Sequence, residues 1–322
     1  MPQQSYEYAN ARIASLSREL FSGSRLRRLL DGNAADAEQF LRDARYGGEG
    51  EGELEARIDR EIGACAQEIR QNSPDPQHTD AFLLRADAQN LKILYKAAIT
   101  GTKAQWLEAG GIFTAAELEV FIADGKSQAL PAPFAQAVSV LRKAQEQSPQ
   151  TVSIALDRAF LQNALAVCRD NAELLRYFRI QADFDNVLCF LRMKRADAGR
   201  ESIATALLPE GGITHRDLLK AYDSDLETLR PAIADSVCKA QIVKAIDRCI
   251  ASGSLAPLAT ARDDAMFAVL AAHRQEGFTV FPLLYYFTAK RREAQALRVI
   301  IAALKNRLPA SEVNERLVMV YG

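Results

Sequence analysis

The sequence predicts an all-α protein, and three observations carry the prediction. Apolar residues recur three and four apart through most of the 322 residues, as expected of helices with one buried stripe. Ala, Leu, Arg, Glu and Gln fill the positions between them, residues that lose little side-chain freedom in a helix. Valine, threonine and isoleucine rarely alternate at the period of two that marks a half-buried strand.

Taken in order, the elements form a unit written three times. An aliphatic-Asp-Arg triplet occurs as Ile58-Asp59-Arg60, Leu156-Asp157-Arg158 and Ile246-Asp247-Arg248. Each is followed by a second element: Asp87-Ala88-Gln89-Asn90-Leu91, Asp183-Phe184-Asp185-Asn186-Val187 and Glu293-Ala294-Gln295-Ala296-Leu297. Each second element is read as opening an amphipathic helix, with Asp87 and Asp183 able to accept hydrogen bonds from the first-turn amides. Leu91, Leu94, Tyr95 and Ala98 make one face. Val187, Phe190, Leu191 and Lys194 hold the same offsets, as do Leu297, Ile300, Ile301 and Leu304, all following the i, i+3, i+4, i+7 rule. Gly101 suits the left-handed turn that ends the first of these helices.

A third anchor, Gly-Gly-Ile, follows in the first two units as Gly110-Gly111-Ile112 and Gly211-Gly212-Ile213. Thr114 with Glu117 has capping-box spacing, and Thr214 with Asp217 is a weaker variant. The last unit has only Leu308-Pro309-Ala310-Ser311 there. Boundaries near Trp106 and at Ile203 to Leu207 give helical repeat domains over 1–105, 106–205 and 206–322, each within the usual domain size. The third interval, Asp247 to Glu293, is longer than its counterparts because of an insertion around 251–281.

Lys+Arg 40 against Asp+Glu 41 leaves a net charge of -1, so no global positive field exists to hold nucleic acid. The longest apolar run, Ala265 to Ala272, has eight residues, far short of the roughly 20 that span a bilayer. The N-terminus lacks the basic-then-apolar layout of a secretory signal, so the cytoplasm is the expected location. Cys65, Cys168, Cys189, Cys238 and Cys249 show no Cys-x-x-Cys spacing and are read as reduced thiols, mostly packed as small hydrophobes.

Chemistry is sparse. His78, His215 and His273 lie far apart without ligand spacing and are read as surface or capping residues, with no metal expected. Tyr46-Gly47-Gly48-Glu49-Gly50-Glu51-Gly52 is too acidic to cradle phosphate, and Gly125-Lys126-Ser127 lacks the earlier glycine of a nucleotide loop. Phe278, Phe281, Tyr285, Tyr286 and Phe287 are read as core. Lys290, Arg291 and Arg292 begin a charged stretch read as a solvated face, with Arg291 and Arg292 the candidates for a partner contact. No catalytic residue and no cofactor are assigned.

The stretch Pro282 to Ile300, with Pro282, Tyr285, Ala289-Lys290, Glu293 and Arg298-Val299-Ile300, resembles the C subunit of prokaryotic V/A-type rotary ATPases, related to the eukaryotic d subunit. Tyr6 to Arg12, Arg45-Tyr46-Gly47, Asp87 to Lys92 with Gly101, Asp183 to Val187 with Arg192 and Lys194, and Lys305 extend the resemblance across the chain. Ala296 departs from the family, which often has Asn there. The resemblance implies a funnel of three similar helical domains in pseudo-threefold arrangement. It further implies a monomer within a hetero-oligomeric complex, coupling the central shaft of the soluble ATPase head to the membrane rotor ring at the inner face of the membrane. The repeated signature residues Asp59, Asp87, Asn90, Asp157, Asp183, Asn186, Asp247, Glu293 and Arg298 would then be structural. Two alternatives are a helical-repeat adaptor, whose repeats are usually about 30 to 50 residues, and an all-α enzyme, which needs a convergent polar cluster.

Overall fold

The computed structural model describes residues 5–48, 53–104, 106–124, 130–144, 148–224, 228–310 and 313, so Gly125-Lys126-Ser127, residues 49–52 and Ser311 lie outside it. Among the described residues every regular element is helical. In chain order the α-helices are α1 (Tyr6–Leu16), α2 (Gly23–Arg28), α3 (Ala34–Asp43), α4 (Leu54–Asn72), α5 (Pro76–Thr100), α6 (Ala115–Asp124), α7 (Ala132–Lys143) and α8 (Pro149–Val167). They continue with α9 (Ala172–Arg195), α10 (Arg200–Ala206), α11 (His215–Tyr222), α12 (Leu229–Ala232), α13 (Lys239–Ser252), α14 (Ala256–Ala272) and α15 (Phe281–Lys305). Among the described residues no helix is long and apolar enough to cross a membrane.

The chain divides into two units, with boundaries inside α5 and α14. The first holds residues 1–86, 108–112 and 270–322. Its core joins Ile13, Phe21, Leu26 and Leu41 from the start of the chain to Ile58, Ile62, Phe287, Leu297 and Ile300. Here α15 packs along α4 and also touches α1 and α3. The second unit holds 87–107 and 113–269, where α8 packs on α7 and on α9, and α9 on α10 and α11.

Local chemistry explains many of the helix limits. Ser5, Ser22, Asn33, Ser148, Asn171 and Thr214 each accept an amide of their own helix's first turn, which satisfies donors that lack an intrahelical partner. Thr114 and Glu117 bond reciprocally: the Glu117 amide donates to the threonine hydroxyl at 3.3 Å and the Thr114 amide to the glutamate at 2.7 Å. In the weaker variant the Asp217 amide donates to the Thr214 hydroxyl at 3.2 Å. Gly101, directly after α5, has φ +67°, the left-handed turn expected there.

One expectation is overturned. Asp87, Asp183 and Glu293 do not open helices; they stand near the middle of α5, α9 and α15, which run 25, 24 and 25 residues. The preceding stretches, such as Ala81 to Leu84 and Leu283 to Phe287, are apolar on nearly all sides and largely buried. A helix buried all round loses its one-sided periodicity, and tertiary packing overrides the reluctance of Asp to sit inside a helix. Downstream the expected stripe holds at its first three positions, where Leu91, Leu94 and Tyr95, Val187, Phe190 and Leu191, and Leu297, Ile300 and Ile301 are all buried, but not at the fourth, where Ala98 is exposed and Lys194 and Leu304 are partly exposed.

Candidate functional site

The triplets sit inside α4, α8 and α13, each with its aliphatic member buried: Ile58, Leu156 and Ile246. This turns the neighbouring aspartate sideways, toward a cation. Lys92 Nζ lies 2.6 Å from Asp157, and Arg298 lies 2.5 Å from Asp59 and 3.0 Å from Glu55. Asp247 instead takes Arg230 at 2.7 Å. These pairs are partly exposed, so each contributes modestly, about 0 to 1 kcal/mol, and their value is registry. The triplet's arginine binds carbonyls in the first two copies: Arg60 donates to that of Gly47 at 3.1 Å, and Arg158 to those of Thr205 and Leu207 at 2.7 and 2.8 Å.

The mid-helix acids form the more demanding set, because a buried carboxylate is costly unless its lone pairs are filled. Asp87 accepts the Phe113 amide at 3.1 Å. Asp183 accepts the Gly212 and Ile213 amides at 2.8 and 2.9 Å and the Ser236 hydroxyl at 2.6 Å. Burial pushes the Asp183 carboxyl above its ordinary value, while Ser236 and the two amides pull it down. Gly-Gly is required beside it: a Cβ on Gly211 would lie 2.4 Å from both the Arg179 carbonyl and Asp183 Oδ1. Asn186, one turn on, holds Leu208 from both sides, accepting its amide at 2.8 Å and donating to its carbonyl at 3.2 Å. The matching position in α15, Ala296, is buried and can make no such bond. Asn90 is buried in α5.

In the first unit Glu293 accepts the Phe21 amide at 2.5 Å and Lys290 Nζ at 2.9 Å. Lys290 also reaches Glu61 at 3.1 Å and lies 5.1 Å above the Tyr46 ring; Glu61 in turn accepts the Gly47 amide at 2.9 Å. Burial raises the Glu293 carboxyl, opposed by Lys290 and the Phe21 amide. Burial alone would lower the Lys290 ammonium, but Glu293 and Glu61 outweigh it and hold it above the ordinary lysine value.

The charged stretch read as a solvated face is therefore corrected: Lys290 is buried, Arg291 is half-buried and paired with Glu108, and Arg292 is only partly exposed. The opposite charge of Glu61, one helix away, is what lets Lys290 enter the core. Among the aromatics Phe281, Tyr286 and Phe287 are buried as expected, whereas Phe278 is 73% exposed. His78 is buried rather than superficial and bonds Asp75 at 2.5 Å. His215 and His273 bond the Leu208 carbonyl and Glu276. All five cysteines are free, four of them buried. A groove of about 490 Å³ runs between α4 and the start of α5, and its charged residues, Arg70 and Asp80, are paired at 2.8 Å.

Sequence reasoning missed Phe21 and Ser22. Their signal was an apolar residue directly before a hydroxyl cap, the pattern of Phe113-Thr114 and Ile213-Thr214.

These features define, among the described residues, an all-α protein whose buried mid-helix acids fasten its long helices to remote loops. The ATP synthase (C/AC39) subunit family model matches residues 9–316, and the chain belongs to that family. The C subunit of the V-type sodium ATPase of Enterococcus hirae is 24% identical over 276 residues, covering 84% of this chain and 83% of that one. The C subunit of the A-type ATP synthase of Halorubrum lacusprofundi is 24% identical over 343 aligned positions, covering 97% of each chain.

Proposed function

We propose that this protein is the non-catalytic coupling piece of a V/A-type rotary ATPase, joining the central shaft of the soluble head to the membrane rotor ring as a peripheral component at the inner membrane face. The family match over nearly the whole chain carries the reading. A fastening role fits the buried acids: Asp87, Asp183 and Glu293 accept backbone amides, a hydroxyl and a lysine. A part that transmits torque needs helices fastened by distributed contacts, since close-packed interiors transmit strain.

The same reading treats 1–105, 106–205 and 206–322 as three copies of one module arranged as a funnel, with Asp59, Asp157 and Asp247 and the mid-helix acids as its recurring fasteners. Arg291 and Arg292 are the proposed partner-contact residues; at Arg291 an acidic partner would compete with Glu108. ATP turnover by the homogeneous purified chain tests the non-catalytic assignment. None above a buffer blank is expected, and turnover that co-elutes with the monomer would overturn it.

A further inference from the structure

Each mid-helix acid accepts an amide from one particular place. Asp87 takes that of Phe113, directly before Thr114, whose hydroxyl accepts the Glu117 amide in the first turn of α6. Asp183 takes that of Ile213, directly before Thr214, the N-cap of α11. Glu293 takes that of Phe21, directly before Ser22, the N-cap of α2. In the first two cases the loop lies 26 and 30 residues after the acid; in the third it lies 272 residues before it.

The flanking ion pairs repeat the same order. Lys92, five residues past Asp87, holds Asp157 of the next triplet. Arg298, five residues past Glu293, holds Asp59 of the first triplet. Leu188 occupies that offset after Asp183 and cannot pair, and Asp247 turns to Arg230. The third copy is thus followed, in contacts, by the first.

Resting on the three-copy reading above, we infer that the segment from Leu20 to Tyr46 is the displaced closing part of the third module, and that Glu293 with Lys290 is the clasp fastening the chain's beginning to α15. Phe21 is the plug of this clasp. Its buried ring lies 5.5 Å from Tyr46 and 5.1 Å from Phe40, and Tyr46 lies under Lys290, so amide, ring and charge converge on one point. Segments held by few long-range contacts open first, and the clasp gives residues 20–46 such contacts on α15.

Hydrogen exchange of the full chain tests this. The peptide spanning residues 20–28 should be protected at least about 100-fold over an unstructured peptide, on a level with residues 112–118 and 212–218. Glu293→Ala should accelerate exchange at 20–28 about tenfold or more and leave 212–218 unchanged, and Asp183→Ala should do the reverse. Because Glu293→Ala leaves the buried Lys290 with Glu61 as its acidic partner and could unfold the first unit, a circular permutant supplies a second test: it starts at Glu53, ends at Gly48, and has Gly322 joined to Met1 by a Gly-Ser linker. Wild-type helicity and protection of 20–28 in the permutant support the clasp. Free exchange at 20–28 in the unaltered chain, or an unfolded permutant, overturns it. Neither of those outcomes affects co-purification with a rotary ATPase, which tests the function separately.

Discussion

Asp183→Ala should loosen the Gly-Gly-Ile loop far more than Asp183→Asn. Alanine strips the acceptor from two amides at 2.8 and 2.9 Å and from the Ser236 hydroxyl at 2.6 Å. A buried donor left unpaired costs about 1 to 3 kcal/mol. The Ser236 hydroxyl can rotate to another acceptor, but the two amides are fixed by the loop, so the loss is about 3 to 5 kcal/mol. Asparagine keeps Oδ1 for both amides, and its Nδ2 can donate to the Ser236 oxygen. It also removes a carboxyl already pushed up by burial, so its cost is about 1 kcal/mol. Hydrogen exchange over residues 208–222 of the full chain reads the difference locally. At about 1.4 kcal/mol per tenfold, alanine should speed exchange by at least about a hundredfold and asparagine by about fivefold. A change below tenfold for alanine, or equal effects of the two variants, would refute the argument that hydrogen-bond acceptance at this carboxylate holds the loop.

Two further outcomes follow from the same geometry. Gly211→Ala should destabilise by about 2 to 3 kcal/mol, since its Cβ would meet backbone and Asp183 at 2.4 Å, while Gly63→Ala in α4, with nothing within 4 Å, should stabilise by about 0.5 to 1 kcal/mol; urea midpoints of the two variants read both. Glu117 is held below the ordinary glutamate value by the Thr114 amide and then its hydroxyl. Its contribution to the start of α6 is therefore present above the ordinary pKa and lost as pH falls through the lower folded value. Exchange at residues 115–118, corrected for the intrinsic pH effect, should quicken as pH falls below the ordinary glutamate value in the wild type and not in Glu117→Gln; identical profiles would contradict the cap.

Helical class, the buried stripes at Leu91, Val187 and Leu297, and the cap at Thr114 were legible in the sequence because each is a local pattern. The mid-helix position of Asp183 was not: its helix is buried on all sides, and an aspartate before an apolar stripe looks the same whether it caps a helix or bonds a remote loop. Lys290 misled for a related reason, since three successive cations imply a wet surface unless the acid that neutralises one of them is visible, and Glu61 is 229 positions away in the chain. Phe21 was hidden by the greatest separation of all. Only the fold brings it to Glu293.

Affinity capture of the tagged full chain from its native membranes tests the coupling role most directly. Recovery of stoichiometric shaft and ring subunits together with the ATP-hydrolysing head is the expected result. A chain that comes down alone, or with proteins unrelated to any rotary ATPase, would contradict the account.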